Sequence, residues 1–199
     1  MIDFRSRKNK GVRFAPLFFM LHRMQARKRI FLIGPMGAGK TAIGKQLARE
    51  LSLEFFDSDL VIQERTGVDV SFIFEKEGEQ GFRLREKKII DELTQRDDIV
   101  LATGGGAVLD AANREVLKQR GTVIYLQVSV DSQLARTRLS RNRPLLETDD
   151  PLERLQGLRE LREPLYEETA DISVKTDGRR VNQVTAFILK ALDKQSKNS

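Results

Sequence analysis

The chain has 199 residues, 40% hydrophobic and 32% charged, with no cysteine and a single histidine, His22. That length suits one compact domain, and the absence of cysteine excludes a disulfide framework, a zinc–thiolate or iron–sulfur site and a cysteine nucleophile. The net charge of +6 is local: residues 1–29 hold nine basic groups against one acid, whereas the other 170 hold 26 basic and 28 acidic groups, so the body itself signals no nucleic-acid partner.

Residues 1–27 form a basic head without a sustained period of 3.6 or 2. Their apolar run, Phe14–Leu21, is interrupted by Pro16 and is too short to span a bilayer, so no membrane partner is expected. The head reads as a poorly ordered extension, an Arg-rich transit segment, or the product of a start upstream of Met20 or Met24. From residue 28 to 195, short apolar runs alternate with amphipathic stretches, as in a parallel sheet covered on both faces. Strands are expected at Arg29–Ile33, Glu54–Phe56, Ile99–Ala102, Thr122–Val128 and Asp171–Val174. Helices are expected at Lys40–Leu51, Ser58–Arg65, Gly78–Thr94, Asp110–Gln119, Val130–Ser140 and Pro151–Thr169. A last helix places Val181, Val184, Phe187, Ile188, Ala191 and Leu192 on one face. No repeat or linker marks a second domain.

Between the first strand and first helix lies Gly34-Pro35-Met36-Gly37-Ala38-Gly39-Lys40-Thr41, a G-x-x-x-x-G-K-[ST] phosphate cradle in the context that motif needs. Glycines let successive N–H groups and the helix N-terminus face phosphate oxygens, Lys40 adds positive charge, and Thr41 offers a hydroxyl to Mg²⁺. The chain lacks an Asn-Lys-x-Asp guanine motif, and it is too short for a motor domain, which leaves small-molecule kinases.

After the second strand, Asp57-Ser58-Asp59 places two carboxylates where open α/β sheets bind ligands. One suits Mg²⁺ through water and the other an acceptor hydroxyl; a helix N-cap followed by a first-turn acid accounts for the pair equally well. Arg83 and Glu86 are spaced to share a helical face, as a carboxylate-binding fork with its support or as a surface ion pair. Thr103-Gly104-Gly105-Gly106 follows a buried strand, which favours close approach of backbone to a ligand. Arg136, Arg138, Arg141 and Arg143, beside Pro144, suit a lid closing on polyphosphate; an RNA patch would need interleaved aromatic residues, which are absent. Arg162-Glu163-Pro164 is expected to break its helix at Pro164 and to offer one more arginine.

Together these motifs, with Arg143-Pro144-Leu145-Leu146 and Arg162-Glu163-Pro164-Leu165-Tyr166, closely resemble the shikimate kinase family from about Lys28 to Leu192. The resemblance implies a three-layer α/β/α P-loop kinase fold, a five-stranded parallel sheet with a mobile lid. It implies transfer of the ATP γ-phosphoryl to the 3-hydroxyl of shikimate, in aromatic amino acid biosynthesis, by a cytoplasmic monomer. It further implies that Gly37, Ala38, Gly39, Lys40, Thr41 and Ala42 bind ATP together with Arg136 and Arg143, and that Thr41 and Asp57 serve Mg²⁺. Shikimate would meet Asp59, Arg83, Glu86, Gly104, Gly105, Gly106 and Arg162, with Lys40, Asp59 and Arg143 catalytic. The head inherits no role from the family. Another acceptor, such as gluconate or a nucleotide, and a nucleotide-dependent binding module are the alternatives.

Overall fold

Five short segments form strands that pair in parallel: β1 (Arg29–Ile33), β2 (Glu54–Asp57), β3 (Ile99–Ala102), β4 (Thr122–Gln127) and β5 (Ile172–Lys175), in the order β2-β3-β1-β4-β5. The structure is a computed structural model and describes residues 28–137 and 150–197. The head at 1–27, the end of the helix expected at Val130–Ser140, and Arg138, Arg141 and Arg143 of the arginine-rich segment lie outside the described residues.

Because side chains alternate along a strand, β1 feeds two cores at once. Phe31 and Ile33 join Leu101, Val123 and Tyr125 on one face, and Ile30 and Leu32 join Val100, Ile124 and Leu126 on the other. Helices α1 (Lys40–Leu51) and α7 (Val181–Ser196) cover the second face through Ile43, Leu47, Val184 and Ile188. The first face is covered by α2 (Ser58–Thr66), α3 (Val70–Leu93), α4 (Ala111–Arg120) and α6 (Pro151–Thr169), through Ile62, Ile73, Phe82, Leu117 and Tyr166. A shorter helix, α5 (Val130–Thr137), follows β4. The chain leaves β1 for β2 on one side and reaches β4 on the other, so the carboxyl ends of β1 and β3 open into the crevice where such sheets take ligands.

Three expectations are corrected. The helix expected from Gly78 begins at Val70, where the Asp69 side chain accepts the Phe72 N–H at 2.7 Å, and bends at Gly78, whose φ of 71° and ψ of 178° are non-helical. Glycine adopts that backbone without a Cβ penalty, so two short helical segments meet there at an angle. Pro164 does not break α6: its missing N–H leaves the Glu160 carbonyl unpaired, yet both residues are exposed and water can serve that oxygen. In α7 the apolar face is narrower than its sequence pattern, for Val181 and Phe187 remain exposed. A 3₁₀ turn at Ala107–Leu109, unmarked in the sequence reading, carries the chain from the glycine turn to α4.

Candidate active site

The cradle forms because β1 stops at Ile33 and the next residues take backbone conformations open to glycine. Gly34 has φ +137°, and a Cβ there would sit 2.5 Å from the Leu126 carbonyl oxygen; Gly39, at φ 90°, is the N-cap of α1. The Lys40 ammonium folds over this loop and donates to the carbonyls of Gly34 at 2.6 Å and Pro35 at 3.0 Å. Thr41 Oγ1 donates to Asp57 Oδ2 at 2.7 Å, which ties the end of β2 to the cradle. The other Asp57 oxygen accepts the Asp59 N–H at 3.1 Å, so Asp57 is the N-cap of α2, the capping reading of the pair.

A cavity of about 470 Å³ runs from the cradle across the carboxyl ends of β2 and β3 to α6. Gly37, Gly39, Lys40, Thr41, Ala42, Asp57, Asp59, Arg83, Glu86, Gly104, Gly105, Gly106, Arg136 and Arg162 all line it. Ala38 does not: its methyl is buried in the core beside Ile43, which leaves only its backbone for the loop. Arg136 crosses from α5 to donate to the Gly37 carbonyl at 2.9 Å and to the Thr176 carbonyl at 3.2 Å, so it braces the cradle against the end of β5.

Each glycine of the 104–106 turn faces a different part of the machinery. A Cβ on Gly104 would collide with carboxylate oxygens of both Glu86 and Asp59, and one on Gly106 with the Arg83 guanidinium. Gly105 approaches Arg162 Nη1, and its carbonyl accepts the Tyr166 hydroxyl at 2.5 Å. The turn is anchored by the Gly104 N–H, which donates to the buried Ser58 hydroxyl at 2.9 Å. The close approach expected from three consecutive glycines is therefore mainly to the protein's own charged side chains.

Charge in this space is closely balanced. Glu86 is fully buried, with Oε2 bonded to Arg83 Nη1 at 2.5 Å and Oε1 without a hydrogen-bond partner among the described residues. Burial pushes its carboxyl up to about 7, with the Asp59 charge adding to this and Arg83 and Arg162 opposing. Burial also pushes Asp59 up, to about 6, reinforced by Asp57 and opposed by Lys40 and Arg83. Arg162, 4% exposed, has its pKa lowered by burial and by the like charge of Arg83, and its Nε is unpartnered among the described residues. Buried donors and acceptors without partners are costly in a finished core and useful in a site awaiting a ligand.

The cavity thus joins a phosphate cradle to two arginines suited to a carboxylate, with Asp59 beside the cradle lysine. A model of the shikimate kinase family matches residues 36–193. The chain belongs to the shikimate kinase family. It is 58% identical over 165 residues to the shikimate kinase of Legionella pneumophila strain Corby, covering 83% of this chain and 94% of that one. It is 54% identical over 170 residues to that of Actinobacillus pleuropneumoniae serotype 5b strain L20, covering 85% and 98%. The solved shikimate kinase from Acinetobacter baumannii in complex with shikimate superposes with a TM-score of 0.85 at 46% identity, covering 87% of this chain and 97% of that chain. The expected three-layer fold of this family, with its five parallel strands, is the fold observed.

Sequence reading missed the apolar wall of the site: Met36, Val70, Phe74 and Phe82 line the cavity, with the Phe74 and Phe82 rings 4.9 Å apart. The spacing of Val70, Ile73 and Phe74 carried a helical signal, which the acidic stretch up to Gly78 obscured. Among the described residues no helix is long and apolar enough to cross a membrane, and no group of three or more acidic, His or Cys side chains could hold a metal ion.

Proposed function

We propose that this chain transfers the γ-phosphoryl group of ATP to the 3-hydroxyl of shikimate, giving shikimate 3-phosphate and ADP. The observation that carries the reading is one cavity holding both the cradle around Lys40 and the arginine pair Arg83 and Arg162, with Asp59 between them. The backbone of Gly37, Gly39 and Thr41 at the start of α1 supplies N–H donors to phosphate oxygens. Lys40 exchanges its two carbonyl contacts for phosphate oxygens and follows charge as it develops on the transferring group.

The Thr41 hydroxyl and Asp57 carboxylate, already paired, fit Mg²⁺, which takes one or two protein ligands alongside substrate phosphates. Bound there, Mg²⁺ supplies charge neutralisation for the phosphate oxygens. Arg83 and Arg162 hold the shikimate carboxylate, Glu86 fixes Arg83, and Asp59 orients the attacking hydroxyl. With its carboxyl near 6, Asp59 is ionised at neutral pH and is also a competent proton acceptor. Most of the rate comes from position, since in-line phosphoryl transfer needs little covalent help from the protein. Arg136 and Arg143 complete the nucleotide side, the latter from outside the described residues.

The test is ADP release from ATP and Mg²⁺ over an acceptor panel of shikimate, gluconate and nucleoside monophosphates. Release that depends on shikimate alone is expected; release with another acceptor and none with shikimate refutes the proposal.

A further inference from the structure

Glu79 lies one residue past the Gly78 bend and four before Arg83. Its Oε1 accepts from Arg83 Nε at 3.3 Å and from Nη2 at 2.9 Å. On the other side, Glu86 Oε2 accepts from Nη1 at 2.5 Å, and the Gly106 backbone lies against the guanidinium, leaving no room for a Cβ. The Phe82 ring, its centroid 5.4 Å from Cζ, packs nearby. A guanidinium has five N–H groups; three are taken by these two carboxylates, which leaves one on each terminal nitrogen. Turning the plane about Cδ–Nε would break the bond to one carboxylate or the other.

We propose that Glu79 is a positioning residue for the substrate carboxylate: it holds the Nε–Nη2 edge of Arg83 so that the remaining N–H pair is left, preset, for the ligand. Glu86 is the buried, fixed arm of this cradle, and Glu79, about half exposed, is the arm at its rim. The bend at Gly78 matters because it makes Glu79 a first-turn residue of the second segment of α3, where a helix N-terminus favours a carboxylate. The inference rests on the reading of Arg83 as part of the carboxylate clamp.

Charge alone predicts the opposite sign. Glu79 is an anion that faces Arg83 and also acts on Arg162, so if it merely competed with substrate its removal would tighten binding. Positioning predicts weaker binding when the acceptor oxygen is lost, and recovery when an uncharged acceptor replaces it.

The test compares Glu79→Ala, Glu79→Gln and Arg83→Ala for shikimate KM, ATP KM, kcat and thermal midpoint. Glu79→Ala is expected to raise shikimate KM about two- to fivefold, the scale of one partly exposed charged contact, with the change in KM rather than in kcat or in ATP KM. Glu79→Gln, which keeps an oxygen for Nε and Nη2, is expected to recover most of that loss. A lower KM in either variant, or a Gln variant no better than Ala, overturns the proposal. So does a fall in thermal midpoint with shikimate KM unchanged, which marks a purely structural residue. Arg83→Ala separates the two levels: an unchanged KM there refutes the clamp itself, whereas a raised KM with Glu79→Ala silent refutes only the role of Glu79.

Discussion

Glu86→Gln removes one titrating carboxyl and keeps its shape, which exposes how burial and the arginines compete in the folded site. In the folded chain this carboxyl sits near 7 against an ordinary 4.5, so between those pH values the native state keeps a proton that the unfolded chain has released. Stability of the unsubstituted protein therefore falls as pH rises through that window, and the Gln variant lacks this component. The gap from 4.5 to about 7 corresponds to about 3 kcal/mol, a sizeable part of the 5–15 kcal/mol typical of a domain. Replacing the protonated carboxyl by an amide shifts the stability of the variant by a constant amount, because neither the amide nor Arg83 titrates here, so that offset leaves the pH dependence alone. The unfolding free energy of the variant minus that of the parent must then grow by about 3 kcal/mol between pH 4.5 and 7.5, or roughly 6–12 °C in thermal midpoint. Urea titrations at half-unit pH steps, without ligands, measure it. Because Asp59 faces the same glycine and titrates nearby, repeating the comparison in an Asp59→Asn background isolates Glu86. A flat or falling difference would mean that Arg83 and Arg162 outweigh burial and keep Glu86 ionised throughout.

Three further outcomes are expected. Lys40→Ala abolishes transfer while binding of shikimate alone, followed by calorimetry, persists; near-normal turnover refutes the cradle assignment. Gly104→Ala drives a methyl against Glu86 and Asp59, so kcat/KM for shikimate falls at least ~100-fold, the scale of an ångström-level misplacement, and a variant with parental kinetics removes the steric argument. The pH profile of kcat/KM for shikimate loses activity below about pH 6 as Asp59 is protonated, and activity held level down to pH 5 would show that its ionised form is not required.

Much of this protein can be read locally. The phosphate cradle is a contiguous string whose glycines, lysine and threonine are each dictated by backbone geometry or by phosphate chemistry. Three of the five strands, β1, β3 and β4, are apolar runs whose faces could be assigned by counting residues, because a strand has a period of two. The Arg83–Glu86 pair follows from helical spacing, and the geometry bears it out at 2.5 Å. Local reading failed at two places: Pro164 stays helical on an exposed face of α6, where the carbonyl it orphans is open to solvent, and Val70–Glu77 is helical ahead of a glycine that looked like a start.

By itself, then, the sequence determined the alternation of strand and helix, the cradle, and the identities of the charged residues, since each depends on neighbours a few positions away. Only the tertiary structure decided which charges meet. Glu86 and Asp59 converge on Gly104 from different helices, and Arg83 is caught between Glu79, Glu86 and Gly106. Burial, which raises both carboxyls, belongs to the packed cavity and to no residue alone. Desolvation and partner geometry arise from residues distant in the chain, and no local pattern encodes them.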